Sequence, residues 1–191
     1  YLSVSVVAVA VAAFWIAGSH RATAAQAKPG SMVEAPKFAV DPSWPHIPNG
    51  WTLGQVSSAA ADSDGNVWIL HRPGVVKPGV KTGPPVMEFD QAGNYIRGWG
   101  GKGAGYDWPS TEHGITVDYK GNVWVSGNGN DDQLLKFTKD GKFLMQVGKA
   151  TQKKTNADTT SLWRPADVFV DPKTNEAYVA DGYGNRRIIV F

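Results

Sequence analysis

The stretch VADGYGNRRIIVF, residues 179–191, belongs to the third copy of a β-rich repeat and ends in the middle of a predicted strand. Related segments mark the three copies at 62–70, 118–125 and 171–179. The aromatic residues Trp68, Trp124 and Tyr178 set a period of 56 and then 54 residues. A period of this size is typical of β-propeller blades, each built from four short strands. We expect all three aromatic side chains to lie in the core.

Within each copy, β-branched and aromatic residues form runs of four to six, separated by Gly, Asn, Asp and Pro. This pattern predicts hairpins and shows no helical period. Gly65 and Gly121 supply the positive φ angles that such turns require. The sequence therefore predicts an all-β fold with about three blades. Because three blades do not close a ring and would leave an exposed strand edge, we expect further blades outside this sequence.

The N-terminal residues differ from the rest in composition. Residues 1–18 are almost wholly apolar, and Ala-x-Ala sites follow that end at Ala24 and Ala27. This order is typical of a cleaved secretory signal over 1–27, and the alternative is an uncleaved membrane anchor formed by an apolar helix over 2–18. Both place the protein outside the cytoplasm, in the periplasm or the extracellular space. Residues 28–48 are predicted to be a Pro-rich linker, and 49–191 the partial propeller.

Composition limits the partners. The chain has no cysteine, so it contains neither disulfides nor thiolate metal sites, and any metal must be bound by His, carboxylate or carbonyl oxygen. A net charge of +2 is too small to indicate nucleic-acid binding. We expect contact with a membrane only through the N-terminal segment, if it is not cleaved. No sequence pattern sets an oligomeric state.

Three local motifs occur in order along the repeats. Ile-Leu-His-Arg at 69–72 closes a strand of the first copy, and Glu-His-Gly-Ile at 112–115 opens the second. Asp-Gly-Tyr-Gly-Asn-x-Arg at 181–187 ends the third. Together, over residues 51–191, these motifs resemble the bacterial NHL-repeat propellers related to peptidyl-α-hydroxyglycine α-amidating lyase. That resemblance implies a six-bladed ring in the intact family.

The resemblance also implies a site. Arg72 matches the arginine of the family, His113 its first zinc ligand and Tyr183 its catalytic tyrosine. The other two zinc histidines would lie in later blades, past Phe191. Catalytic Zn²⁺ and the arginine would polarise a small-molecule or peptide substrate, and the tyrosine would take the hydroxyl proton. The resemblance further implies a structural Ca²⁺ held partly by backbone carbonyls near Ala59 and Ile115.

Each of these residues also has a structural interpretation. His113 could be a hydrogen-bonding residue at a strand start, and Arg72 could pair with a carboxylate at a blade end. Because side chains alternate along a strand, only one of His71 and Arg72 is expected to face the channel. Asp181 and Arg187 are expected to brace each other within the blade.

Three functions remain open at this stage, because a fold does not determine a function. The leading interpretation is an exported, metal-dependent lyase that cleaves the C–N bond of a peptidyl-α-hydroxyglycine-like substrate to an amide and glyoxylate. The second is a non-catalytic envelope propeller that binds protein or glycan. The third is a calcium-dependent hydrolase or lactonase of the six-bladed group, which would need acidic ligands at the channel.

Overall fold

The computed structural model describes residues 35–191, of which Asp41–Phe191 form one compact unit. Those residues contain eleven strands, one 3₁₀ turn at Pro73–Val75 and no α-helix. The strands form three sheets in which each strand pairs antiparallel with the next along the chain. The first sheet contains β1 (Gln55–Ala61), β2 (Val67–Arg72), β3 (Val86–Phe89) and β4 (Tyr95–Trp99). The second contains β5 (Glu112–Val117), β6 (Val123–Gly127), β7 (Gln133–Phe137) and β8 (Phe143–Gly148), and the third β9 (Asp167–Val170), β10 (Ala177–Asp181) and β11 (Arg187–Val190).

This architecture confirms the predicted all-β class and agrees with a partial β-propeller. The predicted apolar helix, and with it the signal or anchor over 1–27, lies outside the described residues. Across residues 35–191, the structure contains no helix long and apolar enough to cross a bilayer. Gly65 and Gly121 adopt φ angles of 80° and 76°, so both hairpin turns have the left-handed residue that the sequence predicts.

Each sheet packs onto the next through a buried indole. Trp68 of the first sheet lies in one apolar cluster with Ile115 and Val125 of the second sheet. Trp124 of the second sheet lies in the corresponding cluster with Val168 and Val179 of the third sheet. The faces of neighbouring sheets therefore pack against each other, and the sequence repeats fold into a stack of blades.

The prediction that Tyr178 would be buried like the two tryptophans is wrong. Tyr178 is 36% exposed, and its hydroxyl group donates to the Glu176 carboxylate at 3.0 Å. It lies on a face of the third sheet with the exposed side chains of Phe169 and Ile188. Among residues 35–191 no further sheet covers this face, which accounts for the exposure of the ring there.

The opposite face of the first sheet is covered by the residues that precede it. Trp44, Ile47 and Trp51 pack against a buried cluster that contains Ile69, Met87 and Phe89. Nδ1 of His46 lies 3.2 Å from Oδ1 of Asn94 in the β3–β4 hairpin. Residues 41–48 of the predicted linker are thus part of the compact unit, and residues 28–34 lie outside the described part.

The first strands of the three sheets lie side by side. The backbone N–H of Ile115 in β5 donates to Oγ of Ser58 in β1 at 3.3 Å. On the other side of β5, the Thr116 hydroxyl group donates to the Asp167 carboxylate in β9 at 2.7 Å. These contacts bring corresponding ends of the three sheets close together. The residues of the three motifs lie at these ends.

A buried aspartate holds the hairpin turn of each complete blade. The Asp118 carboxylate accepts the backbone N–H of Asn122 at 2.9 Å and the indole N–H of Trp124 at 3.0 Å. Its oxygen also lies 3.3 Å from Nζ of Lys136. Asp62 accepts the indole N–H of Trp68 in the same way, at 3.1 Å. Each aspartate therefore joins a tight turn to the indole that packs the next sheet.

We expect Asp118→Ala to destabilise the unit by about 2–4 kcal/mol. The substitution leaves the buried indole N–H of Trp124 and the backbone N–H groups of the turn without a hydrogen-bond acceptor. Asp140→Ala, which removes an exposed carboxylate, is the matched control and should change the free energy of unfolding by less than about 0.5 kcal/mol. Urea unfolding at pH 7 measures both, and equal values would contradict this role.

The same contacts set a pH dependence. Burial raises the pKa of Asp118, but hydrogen bonds from Trp124 and Asn122 outweigh it and the pKa lies below its ordinary value. The stabilisation is therefore complete above the unfolded pKa, near 3.9, and is lost as the pH falls through the folded pKa.

Candidate functional site

Arg72 is the last residue of β2, and its side chain reaches the second sheet. Its Nε donates to the backbone carbonyl of Glu112 at 2.7 Å, and Nη1 donates to Oε1 of Gln55 at 2.7 Å. His71 points the other way and is fully buried, with both ring nitrogens bonded to backbone groups. The alternation expected along the strand therefore turns Arg72, rather than His71, toward the site.

His113 lies on a β-bulge. The pairing of β5 with β6 shifts register between Glu112 and Gly114, which leaves His113 as the extra residue. Bulges of this kind re-aim a side chain at the rim of a sheet. Gly114 is required next to it, since a Cβ atom there would meet the Ala166 carbonyl oxygen at 2.4 Å. The Glu-His-Gly-Ile motif thus encodes both the bulge and the close approach of the third sheet.

Tyr183 lies in the turn that joins β10 to β11, and its side chain is 63% exposed. Its φ angle is 59°, in the left-handed region that a bulky side chain rarely adopts. A Cβ atom on the next residue, Gly184, would meet the Trp163 ring at 2.1 Å. A strained tyrosine held by its surroundings is a typical feature of functional sites.

The buried Asp181 carboxylate holds this turn in place. It accepts the backbone N–H of Trp163 at 2.8 Å, the Asn185 amide at 2.7 Å and Nε of Arg187 at 2.8 Å. The predicted pairing of Asp181 with Arg187 is confirmed. The Asp, Asn and Arg of the third motif therefore serve the turn, and Tyr183 is left free to face outward.

The structure brings the three predicted residues together. Oη of Tyr183 lies 2.9 Å from Nε2 of His113, and the two rings meet edge to face with centroids 5.1 Å apart. Arg72 bonds to the carbonyl of the residue before His113. Three side chains from three different sheets, up to 111 positions apart in the sequence, therefore converge at one end of the stack.

Burial and charge keep His113 neutral. Burial lowers the pKa of the imidazole, and the Arg72 cation lowers this pKa further. The Asp167 carboxylate acts in the opposite direction and raises the pKa. Since the ordinary histidine pKa is near 6.5, the folded protein holds a neutral imidazole at pH 7. A neutral imidazole can accept a hydrogen bond or bind a metal ion.

The residues implied for metals are only partly grouped. Ala59 and Ile115 occupy equivalent positions on the adjacent strands β1 and β5, paired with Ile69 and Val125. Within residues 35–191, no group of three or more His, Cys, Asp or Glu side chains is placed to hold a metal ion. The neutral imidazole of His113 fits one position of a histidine shell for zinc.

Sequence reasoning missed two parts of this region. One is Asp167, whose charge acts on His113 and whose carboxylate accepts the Thr116 hydroxyl group. The other is a polar cleft beside Tyr183 that includes Trp163 and Arg164. Their position in the repeat could have identified them. Residues 163–167 lead into the third copy, just as residues 110–113 lead into the second.

The electrostatic description of His113 predicts the direction of two shifts. Arg72→Met should raise the pKa of the imidazole, because a nearby cation is removed, and Asp167→Asn should lower it. NMR titration of the ring protons measures both, with Lys142→Gln on the β7–β8 turn as the charge-matched control. Shifts of the same sign in the two variants would contradict the assigned surroundings.

Comparison with known proteins finds two kinds of relative, amidating enzymes and an NHL repeat-containing protein. The chain is 31% identical over 155 residues to peptidylglycine alpha-amidating monooxygenase of Rattus norvegicus, covering 72% of this chain and 15% of that protein. It is 30% identical over 170 residues to peptidyl-alpha-hydroxyglycine alpha-amidating lyase 1 of Drosophila melanogaster, covering 78% and 29%. It is 27% identical over 166 residues to NHL repeat-containing protein 3 of Mus musculus, covering 82% and 44%. No protein-family model matches.

The chain therefore spans less than half the length of each of these relatives. The matches nevertheless cover most of the chain, and they agree with the three-sheet architecture and the order of its motifs. The chain is a homologue of the peptidyl-α-hydroxyglycine α-amidating lyases and of the NHL repeat-containing proteins.

Proposed function

We propose that this protein is a metal-dependent carbon–nitrogen lyase that converts a peptidyl-α-hydroxyglycine-like substrate to an amide and glyoxylate. The observation that carries the proposal is the convergence of Arg72, His113 and Tyr183 from three sheets. The lyase named among the relatives supports the reaction class. The pattern of residues 1–27 supports action outside the cytoplasm, in the periplasm or the extracellular space.

The reaction needs little beyond a base and a polarising charge. A base takes the proton of the substrate hydroxyl group, and the O–H electron pair forms the carbonyl of glyoxylate. The C–N bond breaks, and its electron pair stays on nitrogen, which takes up a proton to complete the amide. General base catalysis of this kind typically accelerates a reaction by about 10²–10⁴-fold.

Tyr183 is the residue placed to take the hydroxyl proton. Its side chain is exposed to incoming substrate, while its strained turn is fixed by buried groups. Its oxygen shares one hydrogen bond with the neutral imidazole of His113. To act as the base, Tyr183 must first give up its own proton, and its phenolate oxygen then accepts the proton of the substrate hydroxyl group.

Arg72 and His113 supply the electrostatic part. The Arg72 guanidinium is oriented by a backbone carbonyl and by Gln55, so its charge stays beside His113 without reorganisation. His113 would be one ligand of a zinc ion, which when bound would polarise the substrate oxygen. A single lone pair on Nε2 cannot serve both zinc and Tyr183, so coordination there would release the tyrosine. A structural calcium ion on carbonyls near Ala59 and Ile115 is part of the same proposal.

The proposal predicts the effect of removing one hydroxyl group. Tyr183→Phe should lower glyoxylate release from an N-acyl-α-hydroxyglycine by at least about 100-fold, because the proton acceptor is lost. Tyr119→Phe, which removes an exposed hydroxyl group bonded to Asn175, is the matched control and should retain turnover. The assay follows glyoxylate and amide together, with zinc chloride present.

Turnover that is equal in Tyr183→Phe and in the unmodified protein would contradict the assigned base. Absence of turnover in the unmodified protein, with zinc present, would contradict the lyase proposal itself. That second result would favour a propeller that binds a protein or glycan partner.

A further inference from the structure

A polar cleft of about 390 Å³ opens beside Tyr183. It lies between the β7 side of the second sheet and the segment that leads into the third sheet. Its walls include Asp132, Lys153, Trp163, Arg164, Tyr183 and Gly184. The cleft therefore shares Tyr183 with the proposed catalytic site, and a ligand that fills it touches the same side chain.

The charges lining the cleft are unequal. Two cations, Lys153 and Arg164, face one carboxyl group, that of Asp132. Asp132 is only 3% exposed, and burial raises its pKa against the opposing effect of the Arg164 backbone N–H and charge. With two cations and one carboxyl group in its lining, the cleft carries an excess of positive charge, and burial acts further against the anionic form of Asp132.

The side-chain N–H groups of Arg164 are available to a ligand. Arg72, Arg97 and Arg187 all donate side-chain hydrogen bonds or form ion pairs. The half-buried guanidinium of Arg164 does neither with any residue in the range 35–191. Its backbone is held at a φ angle of 58°. A partly desolvated guanidinium fork whose N–H groups make no side-chain hydrogen bond is suited to a planar anion such as a carboxylate.

Lys153 and Trp163 complete the cleft. Nζ of Lys153 lies 4.9 Å from the centroid of the Trp163 ring, and both side chains line the cleft. The indole forms an apolar wall that continues to Gly184 and Tyr183. A ligand with a carboxylate and a short apolar or planar neighbour matches this lining.

We propose that this cleft is the carboxylate subsite of the active site, where Arg164 and Lys153 hold the carboxylate of the substrate's hydroxyglycine end. This assignment rests on the proposed lyase function. In such a substrate one carbon carries both the hydroxyl group and the carboxylate. A hydroxyl group at Tyr183 therefore puts the carboxylate within a few ångströms of Tyr183, which lines the cleft. Arg72 is less suited to this task, because its Nε and Nη1 already bond to the protein.

The test uses N-acetylglycine, which has the carboxylate but no reacting hydroxyl group, and its neutral counterpart N-acetylglycinamide. Dissociation constants are measured by ligand-observed NMR for the unmodified protein, Arg164→Gln and Arg186→Gln. Arg186 is exposed and lies outside the cleft, so its variant controls for the loss of one positive charge. Lys153→Gln, at an exposed position that does not threaten folding, is the second variant.

We expect the unmodified protein to prefer the carboxylate over the amide, and Arg164→Gln to weaken carboxylate binding at least about tenfold. Lys153→Gln should weaken it by a smaller factor, and Arg186→Gln should leave it within about twofold. Equal affinity for the two probes, or an Arg164→Gln affinity equal to that of Arg186→Gln, would overturn the subsite.

The probes are not turned over, so binding and catalysis are tested separately. Loss of binding selectivity with turnover intact removes the subsite and leaves the lyase proposal. Absence of turnover with selective carboxylate binding removes the lyase proposal and leaves an anion-binding cleft.

Discussion

The packing of one twisted sheet onto the next through a buried indole is the constraint on which the remaining structure depends. Trp68 and Trp124 fill this position, and in each case an aspartate in the hairpin turn accepts the indole N–H. A sheet docked in this way is fixed in both distance and rotation. The first strands β1, β5 and β9 then lie side by side, and residues at the same end of each sheet become neighbours.

The candidate site follows from this alignment. A strand end supplies Arg72, a bulge turns His113 out of its strand, and a turn fixed by Asp181 carries Tyr183. None of the three elements could form the site alone, because each contributes one side chain. At this point Oη of Tyr183 lies 2.9 Å from Nε2 of His113, and Nε of Arg72 donates to the Glu112 carbonyl group, so direct bonds link all three sheets. The strain at Tyr183 and the partial burial of His113 are compensated by packing elsewhere in the sheets.

The sequence was sufficient to predict the repeat period, the hairpins and the pairing of Asp181 with Arg187, because these features depend on local spacing. It failed for Tyr178, since burial of that ring depends on what covers the sheet and not on its own repeat position. It also could not reveal the bulge at His113, which arises from register with β6, or the cleft at Arg164, which forms between loops distant in sequence. The roles of Arg72, His113 and Tyr183 remain predictions that the geometry now makes specific.

The most direct test of the convergent site is a double-mutant cycle on kcat/KM for glyoxylate release, with Arg72→Met, Tyr183→Phe and the double variant. If the two side chains act on one transition state, the cost of the double variant should differ from the sum of the single costs by about 1 kcal/mol or more. Effects that add to within about 0.5 kcal/mol would show that the two residues act independently. That result would contradict a single site assembled from three sheets.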